Sequence, residues 1–138
     1  TEKMRSLYFK NAKYSAEVNG VDEIALTKLD VLSGLDELLV CDYYYKIRLD
    51  SNPDDIIRTV PASIDDLREC VPHHILLKGW KQDISQAKTF EELPKEAQIY
   101  VSTLEKLVGV PITFVGVGAE RTQIIKKQPV SNIMYFLR

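Results

Sequence analysis

The chain has 138 residues, about the length of one domain, and its 45% apolar and 28% charged residues are typical of a folded globular protein. Eighteen basic and 20 acidic residues leave a formal net charge of −2, without the basic excess that nucleic-acid-binding surfaces normally show. We therefore expect a soluble globular domain and no nucleic-acid partner.

The compartment is predicted from apolar runs and cysteines. No apolar run approaches the roughly 18 to 20 residues of a membrane span, so we expect no membrane partner. Cys41 and Cys70 lie far apart and outside any Cys-x-x-Cys pair, which predicts neither a disulfide framework nor a zinc site. A reducing cytoplasmic location is expected. Because the sequence begins with Thr1 and has no targeting core, we expect a fragment or a processed chain.

The first part of the chain predicts a helix and then a short buried strand. Apolar residues recur at helical spacing from Met4 to Val18, and Asn19-Gly20 is a stop signal. The apolar run from Glu23 to Leu26 predicts a strand, and the polar segment from Thr27 to Asp30 predicts a turn at its carboxyl end.

The next segment predicts a β-hairpin. Residues from Leu38 to Leu49 are rich in Leu, Val, Tyr and Ile, which favours a long strand. The segment from Ser51 to Asp54 predicts the turn, and Ile56 to Val60 the return strand. Tyr43 to Tyr45 could cover a core face or an interface.

Two capping patterns predict helix starts. Ser63 and Thr89 each place a hydroxyl three residues before a carboxylate, which can satisfy free N–H groups of a first helical turn. The second helix is expected to run to Gly109, with Pro94 as a break inside its first turns.

The last elements predict an α/β unit. The run from Pro111 to Val115 is a compact strand, and the segment from Arg121 to Lys127 is again β-prone. Strand, helix and strand in this order indicate parallel pairing. With no repeat or linker, we expect one α/β domain over residues 1–138, with a mostly parallel sheet flanked by helices.

The turn from Thr27 to Asp30 resembles the Asn/Thr-Lys-x-Asp turn with which GTP-binding proteins read guanine. The Asp30 carboxylate can accept from both the ring N–H and the exocyclic amine of guanine, while the Lys28 stem lies along the base. Lys-x-Asp also occurs by chance in solvated turns, so the alternative is a surface ion pair between Lys28 and Asp30 without a ligand.

The turn Gly116-Val117-Gly118 also follows a predicted strand. Its glycines would let main-chain groups approach a flat ligand, and the two turns could share one crevice. The alternative is a simple sharp bend.

Other polar residues are assigned structural roles. His73 and His74 are adjacent on an extended segment, so they point to opposite faces and cannot easily share a metal ion. The pairs Asp54-Asp55, Asp65-Asp66 and Glu91-Glu92 are assigned to capping and solubility. No nucleophile motif or Walker-type phosphate loop occurs, so no catalytic or metal-binding residue is predicted.

A set of short blocks resembles one enzyme family. The blocks are VNG at 18–20, IALTKLDVLSG at 24–34, LKGW at 77–80, FEELP at 90–94, AQIY at 97–100, LVGVP at 107–111 and VGVGAERTQ at 115–123. In this order and spacing they are similar to the C-terminal part of adenylosuccinate synthetase. That family's fold is P-loop-like, and the resemblance covers nearly the whole chain.

The resemblance implies a homodimeric ligase of purine and AMP biosynthesis. It joins IMP and L-aspartate with hydrolysis of GTP and with Mg²⁺, and yields adenylosuccinate, GDP and phosphate. The implied guanine-binding residues are Thr27, Lys28, Leu29, Asp30, Gly116, Val117 and Gly118. Thr1 to Arg5 resembles the family's substrate loop Thr-Gly-Arg-x-Arg, although Glu2 and Lys3 depart from it, and Lys3 and Arg5 are the implied contacts.

The family's phosphate loop, catalytic aspartate and catalytic histidine would all precede Thr1, and the Mg²⁺ ligands would also lie outside the chain. Neither His73 nor His74 matches the catalytic histidine. We therefore expect the chain to need the missing N-terminal half of the enzyme and to be inactive alone. The alternative is a non-catalytic α/β module, derived from the same scaffold, that binds a nucleotide or a protein.

Overall fold

A computed structural model describes residues 12–46, 56–57, 61 and 63–129. The helices are α1 (12–19), α2 (Ile64–Arg68) and α3 (Lys95–Val108). The strands are β1 (Ile24–Leu26), β2 (Glu37–Lys46), β3 (Ile56–Ile57), β4 (Cys70–Lys78), β5 (Ile112–Gly116) and β6 (Ile124–Lys126). Short 3₁₀ turns occupy Leu29–Leu32 and Phe90–Glu92.

The strands form two three-stranded sheets, with the orders β1-β5-β6 and β3-β2-β4. The α/β class predicted from the sequence is confirmed. The mostly parallel pairing is not what the described strands show, since β1 and β5 are parallel and the other three pairings are antiparallel. The strand before α3 is β4, which belongs to the second sheet, so α3 connects two sheets instead of two parallel neighbours.

Helix α3 packs its apolar face into the main hydrophobic core. Its buried Ala97, Val101 and Leu104 share one cluster with residues of both sheets. The other buried members are Leu29, Leu32, Leu38, Val40, Trp80, Ile84, Leu93, Ile112, Val115, Val117 and Ile125. Burial of this continuous apolar surface is the dominant favourable contribution to folding, and it holds the carboxyl ends of β1 and β5 in place.

The helix ends follow local sequence signals, with corrections at Thr89 and Pro94. Ser63 caps α2 by accepting a hydrogen bond from the N–H of Asp65 at 3.2 Å. Thr89 precedes only a 3₁₀ turn and makes no side-chain capping bond. The predicted break at Pro94 is wrong, because this residue is the N-cap of α3, where its missing N–H costs nothing. Gly109, with φ of 77°, ends α3 as predicted.

Strand β4 was not predicted as an element, although it pairs with β2 along its length. The described part of β2 and its antiparallel partner β3 agree with the predicted hairpin strands, while the turn from Ser51 to Asp54 lies outside the described residues. Of the tyrosines, Tyr44 is buried in the core and Tyr45 is exposed. In the described ranges each helix is too short or too polar to cross a bilayer.

Candidate functional site

The two predicted turns lie side by side. Because β1 and β5 are parallel neighbours, with Leu26 opposite Val115, their carboxyl ends reach the same edge of the sheet. A Cβ atom built on Gly116 would stand 3.4 Å from Cα of Thr27 and 3.6 Å from the nitrogen of Lys28. The main chain of the glycine turn therefore passes close to the main chain of the Thr27 turn.

Lys28 has a left-handed backbone, with φ of 60° and ψ of 39°. Across the described ranges it is the one residue other than glycine with a positive φ. Such a conformation costs about 1 to 2 kcal/mol and is found where surrounding structure enforces it, which includes ligand sites. The next residue, Leu29, is 1% exposed, and its burial in the core anchors the chain directly after Lys28.

Asp30 holds an unsatisfied acceptor. Its Oδ1 atom is buried and has no hydrogen-bond partner. A buried carboxylate oxygen without a donor is costly, and a ligand that carries N–H groups would remove that cost. The alternative in which Lys28 neutralises Asp30 as a surface ion pair is not seen, because no salt bridge joins these two described side chains.

The turn that contains Asp30 is braced from behind. The N–H of Ser33 donates to the carbonyl of Asp30 at 3.0 Å, and Nε1 of Trp80 donates to Oγ of Ser33 at 3.0 Å. The N–H of Gly34 donates in turn to the carbonyl of Trp80 at 2.8 Å. Trp80 is 2% exposed, so the buried indole fixes the end of the 3₁₀ turn. No sequence pattern had linked Ser33 with Trp80.

The glycine turn presents mainly its main chain. The Val117 side chain is fully buried, and the N–H of Val117 donates to the carbonyl of Gln123 at 2.9 Å. Gly118 lies against the Gln123 carboxamide, which occupies the space where a Cβ of residue 118 would stand. Gln123 was not predicted as a functional residue, and its nearness to Gly118 is visible only in the folded chain.

The remaining predicted residues lie elsewhere. Lys3 and Arg5 fall outside the described residues, as do Asp54 and Asp55. Adjacent His73 and His74 sit on strand β4, and the extended conformation expected for them is confirmed. His73 Nδ1 lies 2.6 Å from Asp42 Oδ1, and its ring stacks on Tyr43 with centroids 4.3 Å apart.

No group of three or more His, Cys, Asp or Glu side chains within the described residues could hold a metal ion. No step of the function proposed below depends on a metal held by them.

The sequence is similar to that of a known protein family. The sequence profile of the family described as adenylosuccinate synthetase matches residues 7–125. The chain is 43% identical over 115 residues to adenylosuccinate synthetase of Paramecium tetraurelia, covering 83% of this chain and 25% of that protein. It is 42% identical over 118 residues to the Clostridioides difficile protein of the same name, covering 86% and 26%.

A solved structure gives the same result. The fully ligated adenylosuccinate synthetase of Plasmodium falciparum superposes with a TM-score of 0.78 at 35% identity, covering 87% of this chain and 28% of that chain. The fold and the paired turns define a mixed α/β protein with a polar edge at the carboxyl ends of two parallel strands. The chain belongs to the adenylosuccinate synthetase family. It spans about a quarter of the length of the relatives it matches.

Proposed function

We propose that this chain is the guanine-nucleotide-binding, C-terminal part of an adenylosuccinate synthetase-like ligase. The reaction joins IMP and L-aspartate at the expense of GTP, and gives adenylosuccinate, GDP and phosphate in purine biosynthesis. The observation that supports the base site is the unpartnered, buried Oδ1 of Asp30 on the turn that lies against Gly116.

Guanine is the base that fits an acceptor of this kind. Its ring N–H and exocyclic amine can donate together to the two oxygens of one carboxylate, whereas adenine has no such pair of donors. Lys28 and Thr27 are exposed at the same turn, so the lysine stem can lie along the face of the base. Leu29 contributes as the buried anchor of the turn.

The glycine turn supplies the second wall. Gly116, Val117 and Gly118 would contact the base through main-chain atoms, because the Val117 side chain points into the core and the glycines have none. Main-chain contacts of this kind select a flat shape, while the carboxylate selects the donor pattern. The two walls together account for a preference for guanine over adenine.

The phosphoryl-transfer part of the reaction is assigned to residues outside this chain. Stabilisation of the transferred phosphoryl group requires an electrostatic clamp of cations and main-chain donors. We propose that the phosphate loop, the catalytic aspartate and histidine and the Mg²⁺ ligands belong to the N-terminal half. Lys3 and Arg5 are proposed contacts to IMP and L-aspartate, in a cytoplasmic homodimer, and the chain alone is expected not to turn over.

Calorimetric titration of the chain with GDP, GTP, ADP and IMP tests the base site. Asp30→Asn replaces one acceptor with a donor that faces the donors of guanine, which should weaken GDP binding about 10- to 100-fold. Asp36→Asn is the matched control, since Asp36 is exposed and pairs with Lys81 at 2.7 Å. Equal affinities for GDP and ADP, or an Asp30→Asn chain that binds GDP as tightly as the wild type, would contradict the proposal.

A further inference from the structure

Gln123 lies in the loop that follows β5, and its side-chain and main-chain polar groups all form hydrogen bonds. Its Oε1 accepts from the N–H of Glu120 at 3.0 Å, and its Nε2 donates to the carbonyl of Ser85 at 3.1 Å. Its main-chain carbonyl accepts from the N–H of Val117 at 2.9 Å, and its own N–H donates to the carbonyl of Glu120 at 3.0 Å. One residue therefore joins the glycine turn, its own loop and a distant segment.

The Gln123 carboxamide packs directly against Gly118. A Cβ on residue 118 would overlap the Gln123 carboxamide, whose three terminal atoms are the nearest neighbours of that position. The glycine thus makes room for the carboxamide, and the carboxamide lies directly behind the main chain of the turn. The side of Gly118 that faces Gln123 is closed to a ligand.

The distant segment is itself fixed. The N–H of Ser85 donates to Oδ1 of Asp83 at 2.9 Å, and the Ser85 hydroxyl donates to Oδ2 at 3.1 Å. These two bonds hold the pKa of the Asp83 carboxyl below its usual value, so the acceptor stays ionised. Ile84, 2% exposed, anchors the same segment in the core. The carbonyl of Ser85 is therefore a stable acceptor for Gln123.

We propose that Gln123 is a positioning residue for base recognition, because its carboxamide fixes the Gly116–Gly118 turn against the 83–85 segment. Main-chain atoms select a base only when their positions are set before binding, since ordering a free loop lowers affinity. This role rests on the guanine site proposed above, and adds to it a residue that does not itself touch the nucleotide.

The test uses two variants of Gln123 in the 138-residue chain. Gln123→Glu keeps the shape and the acceptor for Glu120, but places an oxygen opposite the carbonyl of Ser85 where Nε2 donated. It should weaken GDP binding about tenfold and speed amide hydrogen exchange at Val117. Gln123→Met keeps the length of the side chain and removes both of its hydrogen bonds. It should also weaken GDP binding and speed exchange at Val117, and it takes the place of Gln123→Glu if the charged variant does not fold. Gln128→Glu, at an exposed position, is the control.

The outcomes separate this role from the base site. Circular dichroism first establishes that each compared variant is folded, so a change in GDP affinity reports on the turn. A wild-type chain that binds GDP, with Gln123 variants that match its affinity and exchange rates, overturns the role of Gln123 and leaves the base site intact. A folded wild-type chain that does not bind GDP overturns the base site and this role with it.

Discussion

The buried ion pair between Glu105 and Lys127 allows a sharp test of what holds α3 to the first sheet. Their Oε2 and Nζ atoms are 2.8 Å apart, and each side chain is 3% exposed. The same Oε2 accepts from the N–H of Ile112 at 2.9 Å, and Nζ lies 5.4 Å from the centre of the Phe90 ring. The pair therefore connects the helix, the start of β5 and the end of β6.

Lys127→Met keeps most of the lysine stem and leaves Glu105 charged without its cation. At 2.8 Å and an effective dielectric constant of about 20, the attraction that is lost is about 6 kcal/mol. Loss of one partner of a buried pair lowers the free energy of unfolding by about 3 to 5 kcal/mol, which approaches the total stability of a small domain. Glu105→Gln should cost a similar amount, because it leaves Lys127 charged without a counter-charge.

Urea unfolding followed by circular dichroism measures these free energies. The double variant Glu105→Gln with Lys127→Met buries no charge and keeps the carbonyl acceptor for the N–H of Ile112. We expect it to be more stable than either single variant, which gives a large coupling energy in the double-mutant cycle. Additive losses, or a Lys127→Met chain within 1 kcal/mol of the wild type, would refute the reasoning, since about 3 kcal/mol or more is expected.

Two further predictions concern a strained residue and a thiol. Lys28→Gly should raise the free energy of unfolding by about 0.5 to 1 kcal/mol, because glycine accepts a positive φ without strain, while Lys28→Ala should not. Both should weaken GDP binding in calorimetry, and a Lys28→Gly chain less stable than Lys28→Ala would contradict this account. Burial raises the pKa of the Cys70 thiol, so less of it is thiolate at pH 8 and iodoacetamide should modify it more slowly than an unstructured cysteine peptide. Mass spectrometry measures both rates, and equal rates would argue against the raised pKa.

Local signals predicted much of the fold. The apolar run before Thr27 and the glycine after α3 are short-range patterns, so β1 and the helix end at Gly109 could be located directly. The partner of β2 could not be located, because β4 carries proline and two histidines and its pairing depends on residues about 30 positions away. The order of the elements in the sequence also does not reveal that the chain passes from one sheet to the other through the helix between β4 and β5.

In the candidate site, too, local features could be predicted from the sequence and long-range contacts could not. The turn with Asp30 follows from its residues and from the resemblance to a family. The contacts that support the two turns do not, since Trp80 reaches Ser33 behind the Asp30 turn across 47 positions, and Gln123 reaches Ser85 behind the glycine turn across 38. Such contacts are set by packing of the whole chain, and they leave no periodic trace in the sequence.

The position of β5 between β1 and β6 has a consequence for how a ligand would enter. The strand pairs in parallel with β1, whose end leads into Lys28, and it leads directly into the glycine turn. Both turns are therefore attached to one pair of hydrogen-bonded strands and cannot separate unless that pairing breaks. At the base site proposed above, a nucleotide would therefore bind without separation of these two turns, so its rate of association should depend on diffusion and orientation, and not on breaking of the β1–β5 pairing.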